Sequence, residues 1–158
     1  MNILSKTKYI LGILLAFLLV GCGNSHQTLT CTQTSEDDGM RTVMTAVSNF
    51  VDDGAKMVDS DITMVFEATS EEMRSYWAFM LGMVDGIFSE IPTSEGLSVE
   101  TQNDTENYKY TVKIHVNSDL LNDTDLQNEF LTGFDVSDLT TNNIEQVKAS
   151  FEAQGFTC

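Results

Sequence analysis

Proline occurs once in 158 residues, tryptophan once, histidine twice and cysteine three times. One proline and ten glycines exclude collagen-like, linker-like and low-complexity classes. Basic residues are also scarce: 8 Lys and Arg stand against 24 Asp and Glu, a formal charge of −16. A phosphate backbone is held by clustered Lys and Arg, so nucleic-acid binding is excluded as a class. A disordered acidic tail is excluded as well, because 42% of the residues are hydrophobic and only 20% charged. There is no Gly-x-Ser-x-Gly, no His-Glu-x-x-His and no glycine-rich phosphate loop. Neither Asp52–Asp61 nor Asn122–Glu129 spaces acids and glycine as a calcium loop does. What is left is one acidic globular domain behind a leader.

The leader carries two lysines, Lys6 and Lys8, and then an apolar run from Tyr9 to Val20 broken only by Gly12. A basic start before a short apolar core is a secretory signal. A transmembrane helix needs about 20 apolar residues, and this run is shorter. Leu19-Val20-Gly21-Cys22 follows and resembles the lipobox of bacterial lipoproteins. The resemblance implies cleavage between Gly21 and Cys22 and a diacylglycerol thioether on the Cys22 sulfur. Residues 1–21 then form the signal peptide, 22–27 a short polar tether, and 28–158 a single globular domain. Two buried acyl chains give stable anchoring where one gives only marginal attachment. The 137 residues left after cleavage carry 6 basic and 24 acidic side chains, net −18. A body of that charge is repelled by anionic headgroups and stands off the bilayer.

With Cys22 assigned to lipid, Cys31 and Cys158 remain, and an exported context permits a disulfide. Only one intramolecular pairing can form. A structural bridge is the favoured reading, with reduced thiols and an intermolecular bridge as the alternatives. A redox or metal pair lacks both Cys-x-x-Cys spacing and a histidine at ligand distance in sequence.

Thr28–Gln33 alternates and is β-branched, a first strand. Ser35–Gly39 reads as a turn and Arg41–Val51 as a second strand; Asp52-Asp53-Gly54 is a hairpin signal. Lys56–Ala68 is a third strand, with Val58, Ile62, Met64 and Phe66 on one face and Asp59, Asp61, Thr63 and Glu67 on the other. Thr69 with Glu72 fits a capping box opening a helix that runs to about Ile91, before Pro92. Ten apolar residues, among them Tyr76, Trp77, Met83, Ile87 and Phe88, fill one wide arc of that helix, and Phe79 interrupts the opposite arc. The arc predicts a helix lying across a sheet with Trp77 near the centre of the core. Leu97–Thr101 and Tyr108–Val116 form a second strand pair about a turn at Gln102–Asn107. A short helix is expected around Asp125–Leu131. A final helix, opened by Asn142 with Glu145, carries Ile144, Val147 and Phe151 as far as Gly155, a natural C′ residue. The fold class is α+β: an antiparallel sheet with one long amphipathic helix and a shorter C-terminal helix packed on one face.

Lys109, Lys113 and His115 share one strand face. They read as a charge match to Asp59, Asp61 and Glu67 on a neighbouring strand rather than as an anion site. His115 has no carboxylate near it in sequence, and His26 lies in the tether. The pairs Met80/Met83 and Met40/Met44 have copper-ligand spacing, but the helical pair belongs to the apolar arc. No catalytic residue, metal site or cofactor is therefore assigned.

The whole pattern resembles small uncharacterised lipoproteins of Gram-positive bacteria, on the lipobox, on Thr30-Cys31-Thr32 and on the ending Gly155-Phe156-Thr157-Cys158. That family supplies no activity to carry over. The expectation is a non-catalytic binding or interaction module of the cell envelope, lipid-anchored through Cys22 at the extracytoplasmic face of the cell membrane. An envelope protein is the favoured partner. The alternatives are an envelope hydrolase using a carboxylate pair and a purely structural surface protein.

If Cys31 and Cys158 are bridged, the unreduced protein is lighter than the reduced protein by two hydrogens. Mass measurement before and after reduction checks this, and reaction of either thiol with alkylating reagent before reduction contradicts it.

Overall fold

Period-two alternation in five segments produces one antiparallel sheet in the computed structural model, which describes residues 25–122 and 143–158. Strands β1 (Gln27–Asp37), β2 (Met40–Val51) and β3 (Lys56–Ala68) are followed by helix α1 (Glu71–Ser89). Then come β4 (Leu97–Asp104), β5 (Lys109–Asn117) and helix α2 (Ile144–Ala153). The strand order is β1-β2-β3-β5-β4. Because β5 inserts between β3 and β4, the second hairpin docks through its later strand and leaves β4 at the edge. The fold is α+β, as expected. The short helix anticipated around Asp125–Leu131, the leader and Cys22 lie outside the described residues.

Register aligns the strands in rows. Cys31, Ala46, Ile62, Ile114 and Val99 stand opposite one another across all five strands. The neighbouring row on the same face is Leu29, Ser48, Ser60, Val116 and Leu97. Both helices cover this face: Phe88 of α1 meets Phe66, while Val147 and Phe151 of α2 join the same core as Cys31 and Phe50. Fully burying a large apolar side chain contributes roughly 1.5–3 kcal/mol. Ser48 and Ser60 are the buried polar residues among those described, and their hydroxyls bond each other at 2.9 Å across β2 and β3.

Several local expectations shift by one or two residues, each for a packing reason. The β1–β2 turn is only Asp38-Gly39, with φ of 47° and 78°, so β1 runs on to Asp37. Both positive angles suit the primed turn that matches strand twist. Val58, expected on the face of Ile62 and Met64, is only half-buried. The β2–β3 register slips at Asn49/Phe50, pairing Asn49 with Asp59 and Phe50 with Met57. The extra residue is Val58, and Met57 becomes the buried one.

The cap of α1 is Ser70, not Thr69: the Ser70 hydroxyl accepts from the Met73 N–H at 3.1 Å. Thr69 instead donates its hydroxyl to Glu36 and its N–H to the Gly39 carbonyl. Helix α1 stops at Ser89, short of Ile91, which is nonetheless buried. Helix α2 is capped by Asn143 and Gln146 in a reciprocal box rather than by Asn142 and Glu145. The sequence Asn142-Asn143-Ile144-Glu145-Gln146 contains two overlapping boxes. Tyr108 is not in a strand; it ends the β4–β5 turn at φ 52°. There it accepts from the Ala68 N–H, packs edge-on against Trp77 and lies under the Arg74 guanidinium.

The buried serine pair makes a quantitative test. Ser48→Ala or Ser60→Ala alone strands one hydroxyl and should cost about 1–3 kcal/mol, whereas the double variant should cost less than the two singles together. Urea unfolding of the four proteins measures the coupling.

Candidate functional site

The chain ends meet on β1. Cys31 is fully buried and bonded to Cys158, with sulfurs 2.01 Å apart and 127 residues of separation. The tail reaches it because α2 ends in a tight reversal at Gly155, φ 90°. There the Phe156 N–H donates to Phe151 and the Gly155 N–H to Glu152, while the two phenyl rings pack at 5.1 Å. Thr157 then pairs with Thr32 through two backbone hydrogen bonds of 2.8 Å, covering part of the β1 edge. With both sulfurs in the bridge, neither Cys31 nor Cys158 is a nucleophile. At the other end of β1, the Ser25 hydroxyl donates to Asp53 in the β2–β3 turn.

The sheet face opposite the two helices carries the charge match expected from sequence. Lys109 meets Glu67 at 3.5 Å, and His115 Nδ1 meets Asp61 at 2.8 Å. Asp59 accepts instead from Asn49 at 2.7 Å. His115 thus has a carboxylate partner after all, 54 residues away in sequence and adjacent only because β5 pairs with β3. Ser98 stands opposite His115 on β4, so Asp61, His115 and Ser98 form a row with the residue types of a hydrolytic triad. The serine has no hydrogen bond to the ring among the described residues, and all three are exposed. The row therefore contains an oriented histidine but no activated hydroxyl. At the far end of the β4–β5 hairpin, the Asn107 side-chain amide and backbone N–H hold the Asp104 carboxyl below its usual range.

A cavity of about 340 Å³ lies between α1 and the β4–β5 edge, lined by Leu81, Gly82, Asp85, Thr101, Asn103 and Tyr110. Sequence reasoning found no polar-lined pocket, because Asp85 sits on the helix face read as solvent-facing. The helix docks with that flank toward β4, and the buried Tyr110 donates its hydroxyl to Asp85 at 2.6 Å. Burial first, and then Asp85, push the Tyr110 phenol above its ordinary range, against a smaller opposing bond from Thr101. The cavity can accept a hydrogen-bonding group, and the Asp85 carboxylate that accepts from Tyr110 is part of its lining.

Helix α1 buries less of its apolar arc than expected. Trp77 and Phe88 are buried, and Leu81 and Val84 are half-buried. Tyr76, Met83 and Ile87 of the arc are 50–59% exposed, and Phe79, which lies outside it, is 68% exposed. Among the described residues no three His, Cys, Asp or Glu side chains converge on a metal position. Nor is any described helix long and apolar enough to cross a membrane.

An antiparallel five-stranded sheet with a long and a short helix on one face defines the architectural class. No family model matches the chain, and no curated protein does. Among solved structures the chain is similar to a protein from Streptococcus pneumoniae TIGR4, determined by NMR, at 16% identity and a TM-score of 0.56 over 96% of each chain. It is also similar to the Escherichia coli YehR protein, another NMR structure, at 15% identity and a TM-score of 0.50 over 85% of this chain and 91% of that one. At these identities the likeness is one of fold.

Tyr110 supplies a pH test. The folded state keeps the neutral phenol to higher pH than the unfolded chain, whose tyrosines ionise near pH 10. Its contribution is complete below that pH and is lost as pH rises through the raised folded value. Stability measured by urea unfolding should therefore fall more steeply above about pH 10 in the wild type than in Tyr110→Phe. At neutral pH that variant should cost about 1 kcal/mol for the lost Asp85 bond.

Proposed function

We propose that the chain is a lipid-anchored extracytoplasmic lipoprotein whose folded body is a non-catalytic binding module of the cell envelope. The observation that carries the anchor is Leu19-Val20-Gly21-Cys22 directly after a basic start and a short apolar core. The observation that favours binding is the apolar flank of α1, where Tyr76, Phe79, Met83 and Ile87 are exposed. Contiguous aromatic and aliphatic side chains on a solvent face mark an interaction surface more often than a scaffold role. The hydrolase reading requires a close, buried carboxylate pair. Among the described residues no Asp or Glu is buried, so that reading draws no support from them.

Two acyl chains at Cys22 attach the chain firmly, and the polar residues Gly23–Gln27 hold the sheet a short distance from the bilayer. The disulfide belongs to the same picture, because an oxidising compartment is where such a bond persists.

Cys22→Ala should release the protein from the membrane fraction or leave its leader uncleaved. It should also abolish incorporation of an alkyne-tagged palmitate that labels the wild type. Unchanged fractionation together with unchanged labelling refutes the anchor.

A further inference from the structure

On α1, Tyr76, Phe79, Met83 and Ile87 follow one another at intervals of three and four residues, which places them on a single line along the helix. Their exposures are 58%, 68%, 50% and 59%. Glu72 and Glu90 lie on the same line at its two ends, both exposed, and neither has a basic partner among the described residues. The line is thus apolar in the middle and negative at each end. Beside it, Gly82 and Gly86 are exposed, and a Cβ added at either would meet nothing within 4 Å among the described residues. Gly82 also borders the cavity beside β4, and among the described residues close packing does not account for two helix-weakening glycines one turn apart. Glycines at those positions do let a second backbone approach closely.

We infer that this flank of α1 docks a cationic amphipathic helical peptide, its apolar side against Tyr76, Phe79, Met83 and Ile87 and its lysines or arginines toward Glu72 and Glu90. The inference rests on the binding-module reading and adds the chemistry of the partner. Helix recognition through anchors spaced three and four apart is a recurring binding mode, and Met83 supplies a flexible, polarisable contact. Charge selects the sign of the partner. The chain carries −16, and the acids at both ends of the line add a local attraction for a cation. A second copy of this chain would bring like charges together at the same two points, and an anionic lipid surface would be repelled.

The test uses the full chain reconstituted in phosphatidylcholine vesicles. Trp77, the single tryptophan, lies on α1 next to Tyr76 and reports by its emission. The probes are three 18-residue peptides without tryptophan: Lys and Leu patterned as an amphipathic helix, the same composition scrambled, and Glu and Leu in the amphipathic pattern. The patterned Lys/Leu peptide should give a saturable change. The scrambled peptide should bind at least tenfold more weakly, and the Glu/Leu peptide should not bind.

Phe79→Ser with Met83→Ser should weaken the Lys/Leu peptide at least tenfold while leaving the circular dichroism spectrum intact. Glu72→Gln with Glu90→Gln should weaken it several-fold at low salt, a difference that added salt removes. Gly82→Ala with Gly86→Ala should raise the thermal midpoint yet weaken binding, a combination that a purely structural role does not produce.

Equal binding of the Lys/Leu and Glu/Leu peptides overturns the cationic assignment and leaves the binding reading standing. So does a Trp77 change caused by the vesicles alone, which makes lipid the occupant, or self-association abolished by Phe79→Ser with Met83→Ser, which makes it a second copy. Failure of every peptide, with no lipid docking and no self-association, removes both the inference and the reading of this flank as a binding surface.

Discussion

The bond between Cys31 and Cys158 joins an edge strand to the last residue of the chain, and much of the remaining architecture leans on it. Strand β1 has a hydrogen-bonded strand on one side only, so its other side depends on what the C-terminus provides. That is a two-bond bridge from Thr157, the rings of Phe151 and Phe156, and the covalent link itself. Closing a loop of 127 residues restricts the unfolded chain by about 5 kcal/mol in the entropy model. That is on the scale of the whole net stability of a domain, about 5–15 kcal/mol. Helix α2 stays over β1 because the sulfur bond fixes the chain three residues beyond its terminating glycine.

The sheet was legible in the sequence because period-two alternation is a strong local signal. Tyr110, Val112, Ile114 and Val116 all came out buried on one side. Val58 was misplaced because the slip at Asn49/Phe50 depends on how two strands pair, which neither segment encodes alone. The helix starts were found but placed one residue early. At Thr69-Ser70 and at Asn142-Asn143 two neighbouring residues can each act as a cap, and the choice is made by which apolar residues the next turn must bury. Tyr108 continued an alternating run in sequence, yet it serves as a turn residue because Trp77 and Arg74 meet it there.

The surface chemistry was less legible, for a topological reason. Cross-strand pairing of Lys109 with Glu67 could be anticipated from charge alone. His115 was part of the same expected charge match, but its direct contact with Asp61 and the cavity containing Tyr110 and Asp85 depend on β5 entering the sheet beside β3 and α1 docking over its edge. No local pattern announces that order. The arc of α1 was recognised correctly as apolar, but a helical wheel does not say how much of an arc a flat sheet can reach. One side of a helix touches a sheet, and here the arc is wider than that side.

The position of the bridge within β1 has a mechanical meaning. Only four residue pairs, from Gln27–Phe50 to Thr30–Val47, precede Cys31 in the β1–β2 ladder. Tension drawn through the N-terminal segment can peel those four and then meets a covalent junction. From there the load divides between the rest of β1 and the C-terminal tail, so that further extension must drag both out together. Under such a load the bridge limits unravelling from this end to the first four residue pairs.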